Sequence, residues 1–299
     1  MVSANLASKC QLPLVVIVGP TASGKTSLSI DLAREFNGEI ICADSRTIYK
    51  GMDIGTAKPS LEEQSIVPHW GIDLKYPDES FNVADFKAYA DQKIMEIRAR
   101  GHVPFLVGGT GLYVDSVLYN YTFGPPADPA LRAELDVLDI QQLHEYCNNN
   151  NIELPENSKN KRYIIRAIEQ KGISTNRLSE PISNSIVVGI ATDMKTLRER
   201  IAYRTEQLFD NGVVEEATTL GKKYGWETEA MTANIYRLVH SYLENEISLD
   251  GAKEKFTTLD YQLAKRQMTW LRRSEYITWL DLSSAKDYLV ETLVKQTRP

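Results

Sequence analysis

The chain has 299 residues, of which 42% are hydrophobic and 25% charged, with 34 Lys+Arg against 40 Asp+Glu and a formal net charge of -6. That balance is ordinary for globular proteins and excludes a collagen-like, disordered or disulfide-stapled chain. The length suits one large domain or two smaller ones, and the acidic total argues against bulk, nonspecific nucleic-acid binding while leaving room for a local basic surface.

In chain order, the first apolar run, Leu14–Val18, is too short for a helix and reads as a buried parallel strand. Directly after it, Gly19-Pro20-Thr21-Ala22-Ser23-Gly24-Lys25-Thr26 fits GxxxxGK[ST] and opens a helix whose Leu28, Leu32 and Phe36 recur at four-residue spacing. This is the strand–loop–helix context in which successive backbone N–H groups cradle a di- or triphosphate, as at a nucleotide site. Lys25 supplies a point charge, and the Thr26 hydroxyl is a ligand for Mg²⁺. Gly19, Thr21, Ala22, Ser23, Gly24, Lys25 and Thr26 are therefore the candidate phosphate-binding residues.

A second strand, Ile40–Ala43, runs into Asp44-Ser45-Arg46. Ligands of open α/β sheets bind beyond the carboxyl ends of the strands, so Asp44 is expected in the same cleft as the phosphate loop, as a general base, a Mg²⁺ partner or a turn-capping Asp. His69, between Pro68 and Trp70, reads as a structural histidine. Phe86, Ala90 and Ile94 mark a helix before the third strand, Pro104–Val107, which ends in Gly108-Gly109-Thr110-Gly111. Thr110 either bonds a substrate or caps the helix starting near Leu112. No acidic residue stands at the end of this strand, which weakens the case for an ordinary ATPase or GTPase.

From Tyr121 to Ser185 the texture changes, opening with Gly124-Pro125-Pro126 and carrying an Asn148–Asn151 run read as a loop or helix end. A small helical insertion over 121–185 is expected, interrupting an α/β core formed by 1–120 and completed by 186–299. The fourth strand, Ile186–Ile190, precedes a helix lined by Leu197, Ile201 and Leu208, and the remainder reads as mainly helical. The fold expected is a P-loop NTPase-like parallel sheet with flanking helices. Basic clusters fall at Lys159–Lys171, at Arg198, Arg200 and Arg204, and at Lys265, Arg266, Arg272 and Arg273. Each alone suits a solvated face; together, beside a phosphate cleft, they suit a polyanion. Tyr163 and Trp270 suit either base stacking or core packing.

Cys10, Cys42 and Cys147 are widely spaced with no CxxC pair, as expected in a reducing compartment without a cysteine metal site. No apolar run approaches the roughly 20 residues of a membrane span, and the first residues lack a leader's apolar core and cleavage site. A cytoplasmic protein without a membrane partner is expected.

Gly19–Thr26 (GPTASGKT), Asp44–Lys58 (DSRTIYKGMDIGTAK) and Gly108–Tyr113 (GGTGLY) resemble the tRNA dimethylallyltransferases, or tRNA isopentenyltransferases. Arg166–Glu169, Arg200-Ile201, Tyr236-Arg237, Tyr242–Ser248 and Ala264–Leu271 agree in order, so the resemblance covers nearly the whole chain. The resemblance implies transfer of a dimethylallyl group from its diphosphate to N6 of adenosine 37, beside the tRNA anticodon. It implies Mg²⁺ as cofactor and the tRNA anticodon stem-loop as partner; nothing in the sequence suggests an obligate assembly, so a monomer is expected. The resemblance assigns Asp44, Arg237, Lys25 and Thr110 to catalysis, with Asp44 as base and Arg237 near the diphosphate. It assigns Asp44, Ser45, Arg46, Thr47, Thr110, Arg132, Arg162, Arg166, Lys265, Arg266 and Gln267 to the tRNA. Ile235 stands where relatives carry Gly, and Tyr261-Gln262 where they carry Arg-Gln. Two other readings are a free adenine-nucleotide isopentenyltransferase and a P-loop small-molecule kinase.

Overall fold

A computed structural model describes residues 12–124, 128–171 and 176–297. Cys10, the N-terminal stretch read for a leader, and Pro125-Pro126 of the expected hinge lie outside the described residues.

Among these residues, six strands form one all-parallel sheet: β1 Leu14–Val18, β2 Gly38–Cys42, β3 His69–Trp70, β4 Val103–Gly108, β5 Ser185–Ile190 and β6 Thr278–Leu280, in the order β3-β2-β4-β1-β5-β6. The helices are α1 Lys25–Glu35, α2 Leu61–Ile66, α3 Val83–Ala99, α4 Gly111–Leu118, α5 Pro129–Asp136, α6 Ile140–Asn149, α7 Lys161–Glu169, α8 Met194–Asp210, α9 Val213–Tyr224, α10 Asn234–Leu243, α11 Leu249–Leu271 and α12 Leu282–Thr297. All four expected strands are present. β3 and β6 are additions: edge strands of two and three residues carry too little apolar periodicity to be read.

The chain leaves β1 toward β2 and β3, inserts β4 beside β1, then continues on the opposite side with β5 and β6. The order thus reverses at β1, and the crevice beyond its carboxyl end is the place where open α/β sheets bind ligands. β1 is completely buried and packs with Leu28, Leu32, Phe105, Val188 and Leu289 in one hydrophobic cluster. Burial of such residues on both faces makes this sheet a rigid support for the loops at its carboxyl edge.

The chain divides into two compact units, one of Met1–Leu118 with Glu180–Pro299 and the other of Tyr119–Ser179. The second unit begins and ends a few residues before the 121–185 limits read from composition. It contains α5, α6 and α7 around Leu135, Leu143, Cys147, Ile164, Ile165 and Ile168. The asparagine run closes α6, with Asn150 at its end and Asn151 at a φ of 53° typical of a left-handed stop. Within this unit Arg132 donates from Nε and Nη2 to both oxygens of Glu169, each at 2.6 Å, and Arg166 donates to the same carboxylate at 3.3 Å. Burial works to raise the Glu169 carboxyl, but the two arginines outweigh it and hold it below the usual carboxylate range.

No helix among the described residues is long and apolar enough to cross a membrane.

Candidate active site

The phosphate loop joins β1 to α1 through a backbone that ordinary residues adopt reluctantly. Ala22 and Gly24 lie in the left-handed region, at φ of 60° and 93°. Gly24 is the N-cap of α1 and no side chain caps that helix, so the first-turn N–H groups are left for an anion. Lys25 Nζ donates to the Pro20 carbonyl at 2.7 Å. Burial, with a smaller push from Arg204, lowers its pKa to about 8, against the opposing pull of Asp44.

A cleft of about 490 Å³ opens over this loop. Thr21–Thr26 and the α8 arginines Arg200 and Arg204 give its lining polar groups, while Ile40, Cys42, Ala57, Pro59 and Val107 give it apolar surface. Asp44 lines the same cleft, as expected from its place after β2. Its Oδ1 accepts the backbone N–H of Arg46 at 2.8 Å, a turn bond that leaves its other oxygen for a ligand. The Thr110 hydroxyl accepts the N–H of Ser45 at 3.2 Å, so Thr110 ties the β4 turn to the β2 turn instead of capping α4 with its side chain. Burial raises the Cys42 thiol to about 12, which leaves it inert as a nucleophile.

Four buried polar atoms on residues lining this cleft find no partner among the described residues: Ser23 Oγ, Thr47 Oγ1, His69 Nε2 and Arg204 Nε. Each unsatisfied buried group costs about 1–3 kcal/mol, so their concentration in one cleft marks a place built for a polar ligand. The His69 imidazole contacts the Val67 carbonyl through Nδ1 at 2.9 Å, which requires a proton there and leaves Nε2 as an acceptor. Burial lowers its pKa, keeping it neutral at physiological pH.

Several expected site residues stand elsewhere. Arg237 is exposed on α10 and is not among the residues lining the cleft. It is Arg204 that reaches the phosphate loop, donating to the Thr21 hydroxyl, while Arg200 approaches the Ala22 and Ser23 carbonyls at 3.5 Å. The four-residue spacing of Arg200 and Arg204 on one helix face was the signal available in the sequence. Arg46 donates to the carbonyls of Glu229 and Ala230, so its guanidinium is engaged by the chain itself. Gln267 accepts the Thr21 N–H at 2.9 Å and lines the cleft, whereas Lys265 and Arg266 beside it are exposed. Trp270 donates to Asp115 at 2.7 Å and lies against Gly111, a packing role and not a stacking platform. Arg162 and Tyr163 are exposed on α7.

A parallel sheet whose order reverses at β1, with a GxxxxGKT loop and a polar cleft at that point, defines a phosphate-binding α/β protein of the P-loop class. A family description, IPP transferase, matches residues 47–274, and a second, Isopentenyl transferase, matches residues 12–67. A tRNA dimethylallyltransferase of Bacillus pumilus (strain SAFR-032) is 41% identical over 290 residues, covering 92% of this chain and 91% of that protein. One of Bacillus anthracis is 38% identical over 288 residues, covering 91% and 92%. The crystal structure of the full-length tRNA isopentenylpyrophosphate transferase from Bacillus halodurans aligns with a TM-score of 0.73 at 35% identity, over 96% of this chain and 98% of that one. A eukaryotic dimethylallyltransferase acting on tRNA aligns with a TM-score of 0.80 at 22% identity, over 96% and 80%, a likeness of fold. The chain belongs to the tRNA dimethylallyltransferase family of prenyltransferases.

Proposed function

We propose that this protein transfers a dimethylallyl group from dimethylallyl diphosphate to N6 of adenosine 37 in the anticodon stem-loop of tRNA, releasing diphosphate. The observation that carries this reading is the single cleft that Lys25, Arg200 and Arg204 line with cationic or N–H donors, Asp44 with a carboxylate, and Ile40, Ala57 and Val107 with apolar surface. Prenyl transfer to an amine uses all three: donors for the leaving diphosphate, a carboxylate for the amine proton and apolar surface for the hydrocarbon tail.

The chemistry follows from those groups. The exocyclic amine of adenine is a weak nucleophile. As its nitrogen bonds to the allylic C1, the C1–O bond breaks and the electron pair leaves with the diphosphate. Asp44 takes the N6 proton, which keeps positive charge from accumulating on the new C–N bond. The N–H groups of the phosphate loop, Lys25, Arg204 and Arg200 stabilise the charge that develops on the leaving group. We assign the arginine role near the diphosphate to Arg204, with Arg200 beside it, in place of Arg237. Thr110 holds the Asp44–Ser45 turn against β4 and so orients the base. Thr47, Ser23 and His69 supply further hydrogen-bonding atoms to the substrates.

Mg²⁺ fits this donor set. Thr26 offers a hydroxyl on the first turn of α1, and phosphate oxygens and water would complete the hard oxygen set this ion takes, which leaves the free oxygen of Asp44 to act as the base. When bound it would neutralise charge on the diphosphate oxygens. The RNA contacts we assign to Ser45, Thr47, Arg132, Arg162, Arg166, Lys265 and Arg266, with the 119–179 unit supplying the three arginines. Arg132 and Arg166 keep exposed edges while Glu169 holds their orientation. Splaying the adenine out of its loop costs a few kcal/mol, which such contacts offset. The protein acts as a monomer in the cytoplasm.

The test is incubation with Mg²⁺, labelled dimethylallyl diphosphate and unmodified tRNA, with AMP as alternative acceptor and ATP as alternative donor, followed by mass analysis of nucleosides. Prenyl-adenosine in tRNA is the expected product. Label in AMP alone, or ATP consumption without prenyl transfer, refutes the reading. Asp44→Asn should lower turnover by about 10²-fold or more while tRNA affinity stays within twofold.

A further inference from the structure

The segment from Met52 to Pro59 contributes Thr56, Ala57 and Pro59 to the lining of the cleft. It holds little regular structure of its own. Thr56 Oγ1 donates to the Met52 carbonyl, and Lys58, its side chain only 3% exposed, donates to the Tyr49 carbonyl at 2.8 Å and to Asp53 and Asp73 at 2.6 Å each. What pins its middle comes from more than 160 residues away in the chain. Glu216 on α9 accepts the N–H groups of Asp53 at 2.8 Å, Ile54 at 2.7 Å and Gly55 at 2.9 Å. Tyr236 of α10, fully buried, donates its hydroxyl to the same carboxylate at 2.8 Å.

Three successive N–H groups converging on one anion form a nest, and here the protein fills it with its own carboxylate. Hydrogen bonds to a charged acceptor contribute more than neutral ones, and removing the acceptor strands all three donors at once. Gly55 has no side chain because none fits: a Cβ there would lie 2.7 Å from the Tyr236 ring and hydroxyl. The contact is therefore built tightly from both partners.

We propose that Glu216 is a positioning residue for the hydrocarbon end of the donor subsite, acting through the 53–55 nest to set the wall formed by Thr56, Ala57 and Pro59. The inference rests on the prenyl-transfer reading above. Among the described residues no hydrogen bond joins the phosphate loop to the nest, so Glu216 governs affinity for the prenyl tail and leaves affinity for the diphosphate alone.

Calorimetry on Glu216→Ala, Glu216→Gln and Tyr236→Phe, each checked for native circular dichroism, decides it. The probes are dimethylallyl thiolodiphosphate and inorganic diphosphate, both with Mg²⁺. Glu216→Ala should weaken the prenyl analogue at least tenfold and inorganic diphosphate by less than twofold. Glu216→Gln should fall between Ala and wild type, and Tyr236→Phe, which keeps the nest filled, should lose about threefold on the analogue alone. Should Glu216→Ala fail to fold, the tail-selective loss in the other two variants carries the test. Equal losses for both probes, or no loss for either, overturn the inference. So does a wild-type protein that binds the analogue no tighter than inorganic diphosphate. Wild type that binds the analogue tightly yet transfers nothing to tRNA overturns the prenyl-transfer reading instead, and the ratio of the two affinities in the variants still decides the role of Glu216.

Discussion

Gln267 accepts the backbone N–H of Thr21 across 246 residues of sequence, so the C-terminal part of α11 holds the phosphate loop. Thr21 is gripped from a second side by Arg204 of α8, whose guanidinium donates to its hydroxyl. The loop that receives the leaving diphosphate is thus shaped by two helices from the C-terminal part of the chain, and only partly by its own glycines.

Gln267→Ala removes one of those grips. A neutral hydrogen bond of this kind is worth about 0.5–1.5 kcal/mol, so inorganic diphosphate should bind roughly three- to tenfold more weakly. Gln267→Glu should be worse, because a carboxylate beside the bound diphosphate adds repulsion. Titration of both variants with inorganic diphosphate and with tRNA separates the two roles of this residue. Weakened tRNA binding with unchanged diphosphate binding would restore Gln267 to the RNA surface.

Arg204 and Arg237 can be set against each other directly. Arg204 lines the cleft with one guanidinium nitrogen buried and unpartnered, and Arg237 is exposed on α10. Removing a charged donor that acts on the leaving group typically costs about 2.7–4 kcal/mol of transition-state stabilisation. Arg204→Ala should therefore lower kcat by about 10²- to 10³-fold, with Arg204→Lys recovering part of it. Arg237→Ala should change kcat by less than about threefold on the same scale, and steady-state kinetics with saturating tRNA read both. A large loss in Arg237→Ala would return the diphosphate role to α10.

What could be read from the chain alone, and what could not, divides along local and distant information. β1, the GxxxxGKT loop and Asp44 were legible because strand, turn and helix signals lie within a dozen residues of each other. The joint placement of Asp44 and Lys25 followed from the rule that ligands bind at carboxyl ends of parallel strands. The sequence shows Arg204 and His69 as side chains without placing them, since their positions depend on which helix face and which edge strand meet the cleft. β3 and β6 are not legible in the sequence because such short strands exist only through pairing with β2 and β5. Trp270 was readable as stacking or packing, and the nearness of Gly111, a contact between α11 and α4, decided for packing.

Lys25 gives the cleft a pH dependence. Burial holds its folded pKa at about 8, below its ordinary value of 10.5. A lowered pKa means that the fold disfavours the charged form. The stability tied to this group is complete above its unfolded pKa and is lost as pH falls toward 8. Diphosphate favours the ammonium, so binding near pH 8–9 should draw a proton onto Lys25, and affinity should fall as pH rises above 8. Calorimetry in buffers of different ionisation enthalpy measures the uptake. Lys25→Met should abolish the excess over whatever the diphosphate itself takes up; identical uptake in wild type and variant would place the pKa of Lys25 outside this range.

Lys265 and Arg266 are exposed on α11 two and one residues before Gln267, and Lys265 Nζ sits 4.6 Å from the Tyr261 ring centroid. If they contact phosphates of the RNA, each neutralised contact releases counterions and adds to the salt dependence of binding. For single-stranded nucleic acid the slope of log K against log salt changes by about 0.7 per contact. Lys265→Ala with Arg266→Ala should therefore weaken tRNA binding and flatten that slope by roughly 1.4 if both contact phosphate. Inorganic diphosphate affinity should stay unchanged, because neither side chain lines the cleft. Filter binding of tRNA from low to moderate salt gives the slope. An unaltered slope, with affinity preserved, would move the RNA surface off this helix and onto the arginines of the 119–179 unit, where Arg162→Ala is the next variant to titrate.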